Sequence, residues 1–413
     1  MIKILKDANI KGKTILYRAP YDIEAENING SLKIKDTSRI DATIPTLNYL
    51  IANDCKIVIL TWVGRPKNGP TPELSTVPHT KYLQSVVNTN VSHINDCIGD
   101  AVIHKISTLK PKEILMLENV RFHKEEDSEN ADFARQLCNG CEFIVFDGFP
   151  QAHRKAPSTT GILEILPACA GFYFESEYIL LNKLLTQPKK PFTLVIGGAK
   201  TSDKVEAINN LYDLVDIILV GGGAANAFLK AQGKEMGNSY IEEGDSVKTA
   251  QQTLNRDPAN ENFKNFKVEM EVELKKIMLP YDLVLGMNKE DNMSELTVVE
   301  NQPRPVSADM GAMDIGPITR LSYAEIILQS GTVFWAGPMG VYENKIFEGG
   351  TKAIAQAMAT TTADTIIAGG DTIDALNKLG DPKKIKFISL AGGATLEFIA
   401  GKKLPVIEML TKI

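Results

Sequence analysis

Short runs of β-branched and aromatic residues, each followed by a stretch with helical spacing, recur along this chain and constrain its fold more than any other feature. In the first half the runs are Thr14–Tyr17, Lys56–Trp62, Ile114–Leu117 and Phe143–Phe146. In the second half they are Thr193–Ile196, Ile217–Val220, Asp282–Leu285, Thr332–Trp335, Thr365–Ala368 and Phe387–Leu390. They are nearly continuously apolar rather than alternating, as strands are when helices cover both faces of a parallel sheet. Strand–helix alternation of this kind predicts an α/β fold with parallel sheets. A polar helical stretch near Glu175–Leu185, followed by Gln187-Pro188-Lys189-Lys190-Pro191, separates the two sets, and prolines at such a break end a helix. A length of 413 residues agrees with two lobes.

In open parallel sheets, ligands bind beyond the carboxyl ends of the strands, and the two halves carry different chemistry there. The first half places Arg18, Gly64-Arg65, Arg121 and His153-Arg154 after its four runs. The second places Gly197-Gly198, Gly221-Gly222-Gly223, Gly286, Gly337, Gly369-Gly370 and Gly392-Gly393. Arginine is scarce here, nine residues against 36 lysines. A single arginine is ordinarily a surface ion pair, but four at four strand ends point to a small anionic ligand gripped by planar donor forks. Arg39, in Ser38-Arg39-Ile40-Asp41, sits at a helix start and can join them. Glycines at strand ends let backbone approach a ligand, and the following helix N-termini attract phosphate, so the second half suggests a nucleotide site. No GxGxxG or GxxxxGK[ST] occurs, which argues against a dinucleotide fingerprint and a P-loop.

Gly197-Gly198-Ala199-Lys200-Thr201-Ser202-Asp203-Lys204 puts two lysines four residues apart at a helix N-terminus, where cations oppose the macrodipole unless an anion lies between them. Two solvated surface lysines are the plainer alternative. Gly370-Asp371-Thr372 offers a carboxylate and a hydroxyl at another helix start, either as a cap or as a Mg²⁺ holder on nucleotide phosphates. The net charge of −6 disfavours nucleic acid as a partner. No stretch of 18 apolar residues occurs, and the N-terminus lacks a signal-peptide core, so the expectation is a cytoplasmic protein with no membrane partner. Five cysteines, with one Cys138-Asn-Gly-Cys141, do not form a disulfide scaffold or a clear metal motif.

Taken in order, the motifs resemble the phosphoglycerate kinase family over essentially the whole chain. They are Arg39-Ile40 through Pro45-Thr46, Gly64-Arg65-Pro66, Leu117-Glu118-Asn119-Val120-Arg121-Phe122, Ala152-His153-Arg154, Gly197-Gly198-Ala199-Lys200 and Val220-Gly221-Gly222-Gly223. Asp314-Ile315-Gly316-Pro317, Gly337-Pro338-Met339-Gly340-Val341, Gly370-Asp371-Thr372 and Gly401-Lys402-Lys403-Leu404-Pro405 follow. The resemblance implies two Rossmann-like lobes with parallel sheets joined by an interdomain helix and hinge. Residues 1–174 would bind the acid, with 391–413 returning to them; 175–187 would form the helix and 188–390 the nucleotide lobe. It further implies a monomer that reversibly transfers the acyl phosphate of 1,3-bisphosphoglycerate to MgADP, with Mg²⁺ and ATP or ADP bound.

By that resemblance Arg65, Arg121 and Arg154 hold the non-reacting phosphate, and Arg39 and Lys204 neutralise the transferring group with Lys200 near the phosphates. Gly197, Gly198, Gly221, Gly222, Gly392, Gly393 and Gly370 would approach the nucleotide. Pro338 and Glu343 would face adenine and ribose, and Asp371 and Thr372 would serve metal and phosphates. The chain departs from the family pattern where the acid is read: Pro20 stands for Asp, Asp22 for Asn and Trp62 for His. Ala336, Ala368, Ala391 and Leu390 depart from it on the nucleotide side. Three readings stay open: a working kinase in which Asp22 takes over the lost carboxylate's role, a kinase for another phosphorylated acid, and a catalytically silent nucleotide-binding homologue.

Overall fold

The computed structural model describes residues 2–67, 69–199, 202–256, 262–269, 273–299 and 306–411. The chain forms two compact units, Met1–Leu180 with Lys403–Ile413, and Leu181–Lys402; the division falls inside the helix Phe172–Thr186.

In the first unit the strands are β1 (Thr14–Arg18), β2 (Ala25–Ile28), β3 (Ser31–Ile34), β4 (Lys56–Leu60), β5 (Val91–His93), β6 (Ile114–Met116), β7 (Phe143–Phe146) and β8 (Ala168–Ala170). Six of them make one parallel sheet in the order β5-β6-β4-β1-β7-β8. Every residue of β1, β6, β7 and β8 is buried, because helices cover both faces. Ile15, Tyr17, Leu47, Ile57, Ile114 and Val145 belong to one core. β2 and β3 form a separate hairpin. Asn29 and Gly30 at its tip have φ of 52° and 79°, the double positive φ of a type I′ turn.

The second unit carries β9 (Phe192–Ile196), β10 (Ile217–Val220), β11 (Ile277–Met278), β12 (Asp282–Gly286), β13 (Glu295–Val298), β14 (Gly311–Ile315), β15 (Thr332–Ala336), β16 (Asp364–Ala368) and β17 (Phe387–Ser389). Its parallel sheet has the order β11-β10-β9-β15-β16-β17. Strand order reverses between β9 and β15, the switch point where such sheets bind ligands. Asp282–Leu285, expected in a parallel sheet, instead lies at the centre of a small antiparallel sheet, β13-β12-β14. Leu283 and Leu285 there pack with Leu229 and Met236 in a core of their own.

Residues 391–402, expected to return to the first lobe, group with the second unit. The helix Gly393–Ile399 is tied to the helix Ser202–Leu211 by a hydrogen bond from Asn210 Nδ2 to the Ile399 carbonyl (3.0 Å), and Lys402 pairs with Glu206 at 2.8 Å. Only the tail from Lys403 joins the first unit, where Lys3 N donates to Leu410 O at 3.1 Å. No described helix is long and apolar enough to cross a membrane.

Candidate active site

In the first unit, the loops after β4, β6 and β7 carry Arg65, Arg121 and Arg154 to one pocket of about 320 Å³, which Pro66 and Asp127 complete. Asn119, almost wholly buried, pins two of these loops together. Its Oδ1 accepts from Val63 N (3.0 Å) and Arg121 N (3.1 Å), while its Nδ2 donates to Val63 O (2.7 Å) and Leu74 O (3.0 Å). Burial lowers the basicity of Arg121; the carboxylates of Asp22 and Glu126 oppose this, while the neighbouring charges of Arg154 and Arg65 add to it. A cluster of guanidinium groups that disfavour one another in this way is stabilised by a bound anion.

Arg18, expected with these three, has a different place. It ends β1 fully buried, with its pKa pushed down to about 10, chiefly by burial. Nε donates to Ser158 O at 2.9 Å, and Nη2 has no hydrogen-bond partner among the described residues. It does not line the pocket of the other three.

Asp22 is engaged by the protein at both oxygens: Oδ1 accepts from Gly64 N (2.8 Å) and Oδ2 from the Trp62 indole (3.1 Å). Its backbone carbonyl accepts from Arg39 Nη1 at 3.1 Å. Two of the residues that depart from the family pattern, Asp22 and Trp62, are therefore bonded to each other.

In the second unit the glycines of the switch point cross one another. A Cβ on Gly197 or on Gly337 would lie well inside contact distance of the other strand end's carbonyl oxygen, and one on Gly222 would lie 2.7 Å from Gly198 N. Gly198 N donates to Pro338 O (2.6 Å), and Gly222 N to Met339 O (2.9 Å). Gly337 takes a φ of +95°, its carbonyl held by Trp335 Nε1 (2.8 Å) and its amide by Thr372 Oγ1 (2.7 Å). The buried Thr372 hydroxyl thus supports the turn rather than lying open to solvent. Lys204 is half-buried, with its ammonium 2.6 Å from where a Gly198 Cβ would stand, so glycine there makes room for it. Lys200 lies outside the described residues.

A cavity of about 1090 Å³ opens from this crossing, with Gly198, Gly222, Pro338, Glu343 and Asp371 in its wall. Asp371 is exposed in the first turn of the helix Gly370–Leu379, a hard oxygen donor suited to Mg²⁺. Gly197, Gly221 and Gly370 adjoin Gly198, Gly222 and Asp371 in sequence but do not themselves line the cavity. Gly392 and Gly393, by contrast, follow the edge strand β17 and are not part of the wall.

The phosphoglycerate kinase family model matches residues 5–402. The chain belongs to the phosphoglycerate kinase family. It is 40% identical over 408 residues to a phosphoglycerate kinase of Moorella thermoacetica, covering 99% of this chain and 98% of that one. A second, from Clostridium botulinum strain Alaska E43, is 38% identical over 411 residues with the same coverage. Among solved structures, the phosphoglycerate kinase of Coxiella burnetii superposes with a TM-score of 0.83 at 34% identity, over 100% of this chain and 99% of that one. That of Pyrococcus horikoshii OT3 gives 0.82 at 29% identity, over 99% and 98%. Membership makes the chain a phosphotransferase with a carboxyl group as acceptor, and no match favours an altered acid or a silent homologue.

Against the family's motifs, sequence reasoning left the far side of the nucleotide cavity unassigned. Leu283, Ala312 and Asp314 from the antiparallel sheet line it, with Asn226, Tyr240 and Tyr342. Asp314 was legible only as part of Asp314-Ile315-Gly316-Pro317. Its carboxyl is enclosed, with Oδ2 accepting from Arg320 Nη2 and Gly350 N, each at 2.7 Å. Burial outweighs the Arg320 charge and pushes its pKa up to about 7.

Proposed function

We propose that the chain transfers the acyl phosphate of 1,3-bisphosphoglycerate to MgADP, reversibly, as a cytoplasmic monomer acting on small molecules. A β-phosphate oxygen of ADP attacks the C1 phosphorus. The phosphorus–oxygen bond to the acyl carbon's oxygen breaks, and its electron pair stays on the departing 3-phosphoglycerate carboxylate. No protein nucleophile is needed; positioning and charge carry the reaction. The convergence of Arg65, Arg121 and Arg154 on one pocket is the observation that carries this assignment, since three donor forks suit a phosphate that does not react.

Arg39 and Lys204 neutralise the transferring phosphoryl group, and Lys200 serves the same phosphates. The crossing of Gly197, Gly198, Gly221 and Gly222 receives the nucleotide's phosphates, Pro338 faces the adenine and Glu343 the ribose, and Asp371 would hold the Mg²⁺ of the nucleotide substrate. Calorimetric titration with 3-phosphoglycerate tests the acid site. Arg65→Ala, Arg121→Ala and Arg154→Ala should each weaken binding while leaving MgADP binding intact. Unchanged affinity in all three would refute the assignment.

A further inference from the structure

Trp62 is 2% exposed, and its ring lies 4.0 Å from the Arg121 guanidinium carbon and 4.7 Å from that of Arg18. Four contacts close a loop around it. The indole N–H donates to Asp22 Oδ2, Asp22 Oδ1 accepts from Gly64 N, Gly64 O accepts from Arg121 Nη1, and Arg121 faces the indole ring. Arg39 is fastened to the same loop through the Asp22 carbonyl. Without an anion, Arg121 meets the like charges of Arg65 and Arg154; the carboxylates of Asp22 and Glu126 offset part of that repulsion, and the indole face adds to the hold on the guanidinium.

We infer that Trp62 is a positioning residue of the acid site: with Asp22 it holds Arg121 and Arg39 ready for the anion before the anion arrives. The inference rests on the assignment of Arg121 to the non-reacting phosphate. It gives the Trp62–Asp22 pairing a function of its own, since either residue alone would break the loop. Preorganised donors bind without the cost of being ordered at the moment of binding.

The test is steady-state kinetics and intrinsic fluorescence on the full chain. Trp62→Phe keeps an aromatic face and loses the N–H donor, whereas Trp62→Leu loses both. The KM for 3-phosphoglycerate should rise about three- to tenfold in the first and roughly thirtyfold in the second, the range of a desolvated cation–π contact. The KM for MgATP should stay within about twofold. Asp22→Ala combined with Trp62→Phe should cost less than the product of the two single effects, as for residues in one network.

The other tryptophan, Trp335, is fully buried in the second unit's core and remains as an internal reference. Adding 3-phosphoglycerate should change the parent's fluorescence and leave that of Trp62→Phe nearly unchanged. Should Trp62→Leu not fold, Trp62→Phe and the parent's signal still decide. Equal fluorescence changes in parent and Trp62→Phe, or equal rises in both KM values, would overturn the inference while leaving the reaction standing. A parent that neither binds nor turns over 3-phosphoglycerate would overturn both.

Discussion

Replacing Gly337 by alanine tests the crossing at which the nucleotide site is built. Gly337 has a φ of +95°, and a Cβ there would press into the Gly197 carbonyl while standing 3.0 Å from Gly198 N. Gly233 in the same unit is the control: its φ is +83°, and a Cβ would meet nothing within 4 Å. Both substitutions incur the left-handed backbone cost of about 1–2 kcal/mol. Only Gly337→Ala adds overpacking against fixed backbone, about 1–3 kcal/mol. Thermal unfolding should therefore place Gly337→Ala roughly 2–12 °C below Gly233→Ala, at about 2–4 °C per kcal/mol for a unit of this size. The strand ends must also part to admit the methyl group. An ångström of displacement at the phosphates costs on the order of 10²-fold in turnover, whereas Gly233→Ala should turn over like the parent. Equal melting temperatures with full activity in Gly337→Ala would refute the claim that the crossing is tight.

Other expectations follow from the same geometry. Arg121→Lys keeps the charge and loses the fork, so the KM for 3-phosphoglycerate should rise on the order of tenfold or more while MgATP is unaffected; steady-state kinetics checks it. Asp371→Asn should raise the Mg²⁺ concentration needed for half-maximal turnover without lowering the melting temperature, as expected of an exposed metal donor. Asp314 has its folded pKa raised to about 7, above its ordinary value of 3.8, so its contribution to stability is full below pH 4 and is lost as pH rises to 7. Parent and Asp314→Asn melting curves should accordingly diverge over pH 4–7 and run parallel above it; parallel curves throughout would show that the carboxyl ionises as freely as in the unfolded chain.

Much of the fold was legible because buried parallel strands are short, continuous and β-branched, as β9, β10, β15 and β16 are. Direction was not: an apolar run such as Asp282–Leu285 reads the same in either kind of sheet, and only its partners β13 and β14 make it antiparallel. The hairpin of β2 and β3 was missed although Asn29-Gly30 is a strong turn signal, because its strands are half-exposed and weakly patterned. In the site, the strand-end position of Arg65, Arg121 and Arg154 was sufficient to group them. The same rule misplaced Arg18, since the last residue of a central strand can point into the core. Trp62 and Asp22 were visible only as departures from a pattern. Their bond spans 40 residues of sequence and depends on how two loops meet.

The central claim is phosphotransfer between 3-phosphoglycerate and MgATP, and a coupled assay of that reaction tests it most directly, with Arg39→Ala and Lys204→Ala beside the parent. The account predicts turnover by the parent and a loss of at least about 10²-fold in each variant, the scale of removing one donor from a developing charge. A parent without turnover whose nucleotide binding is intact by calorimetry would contradict it.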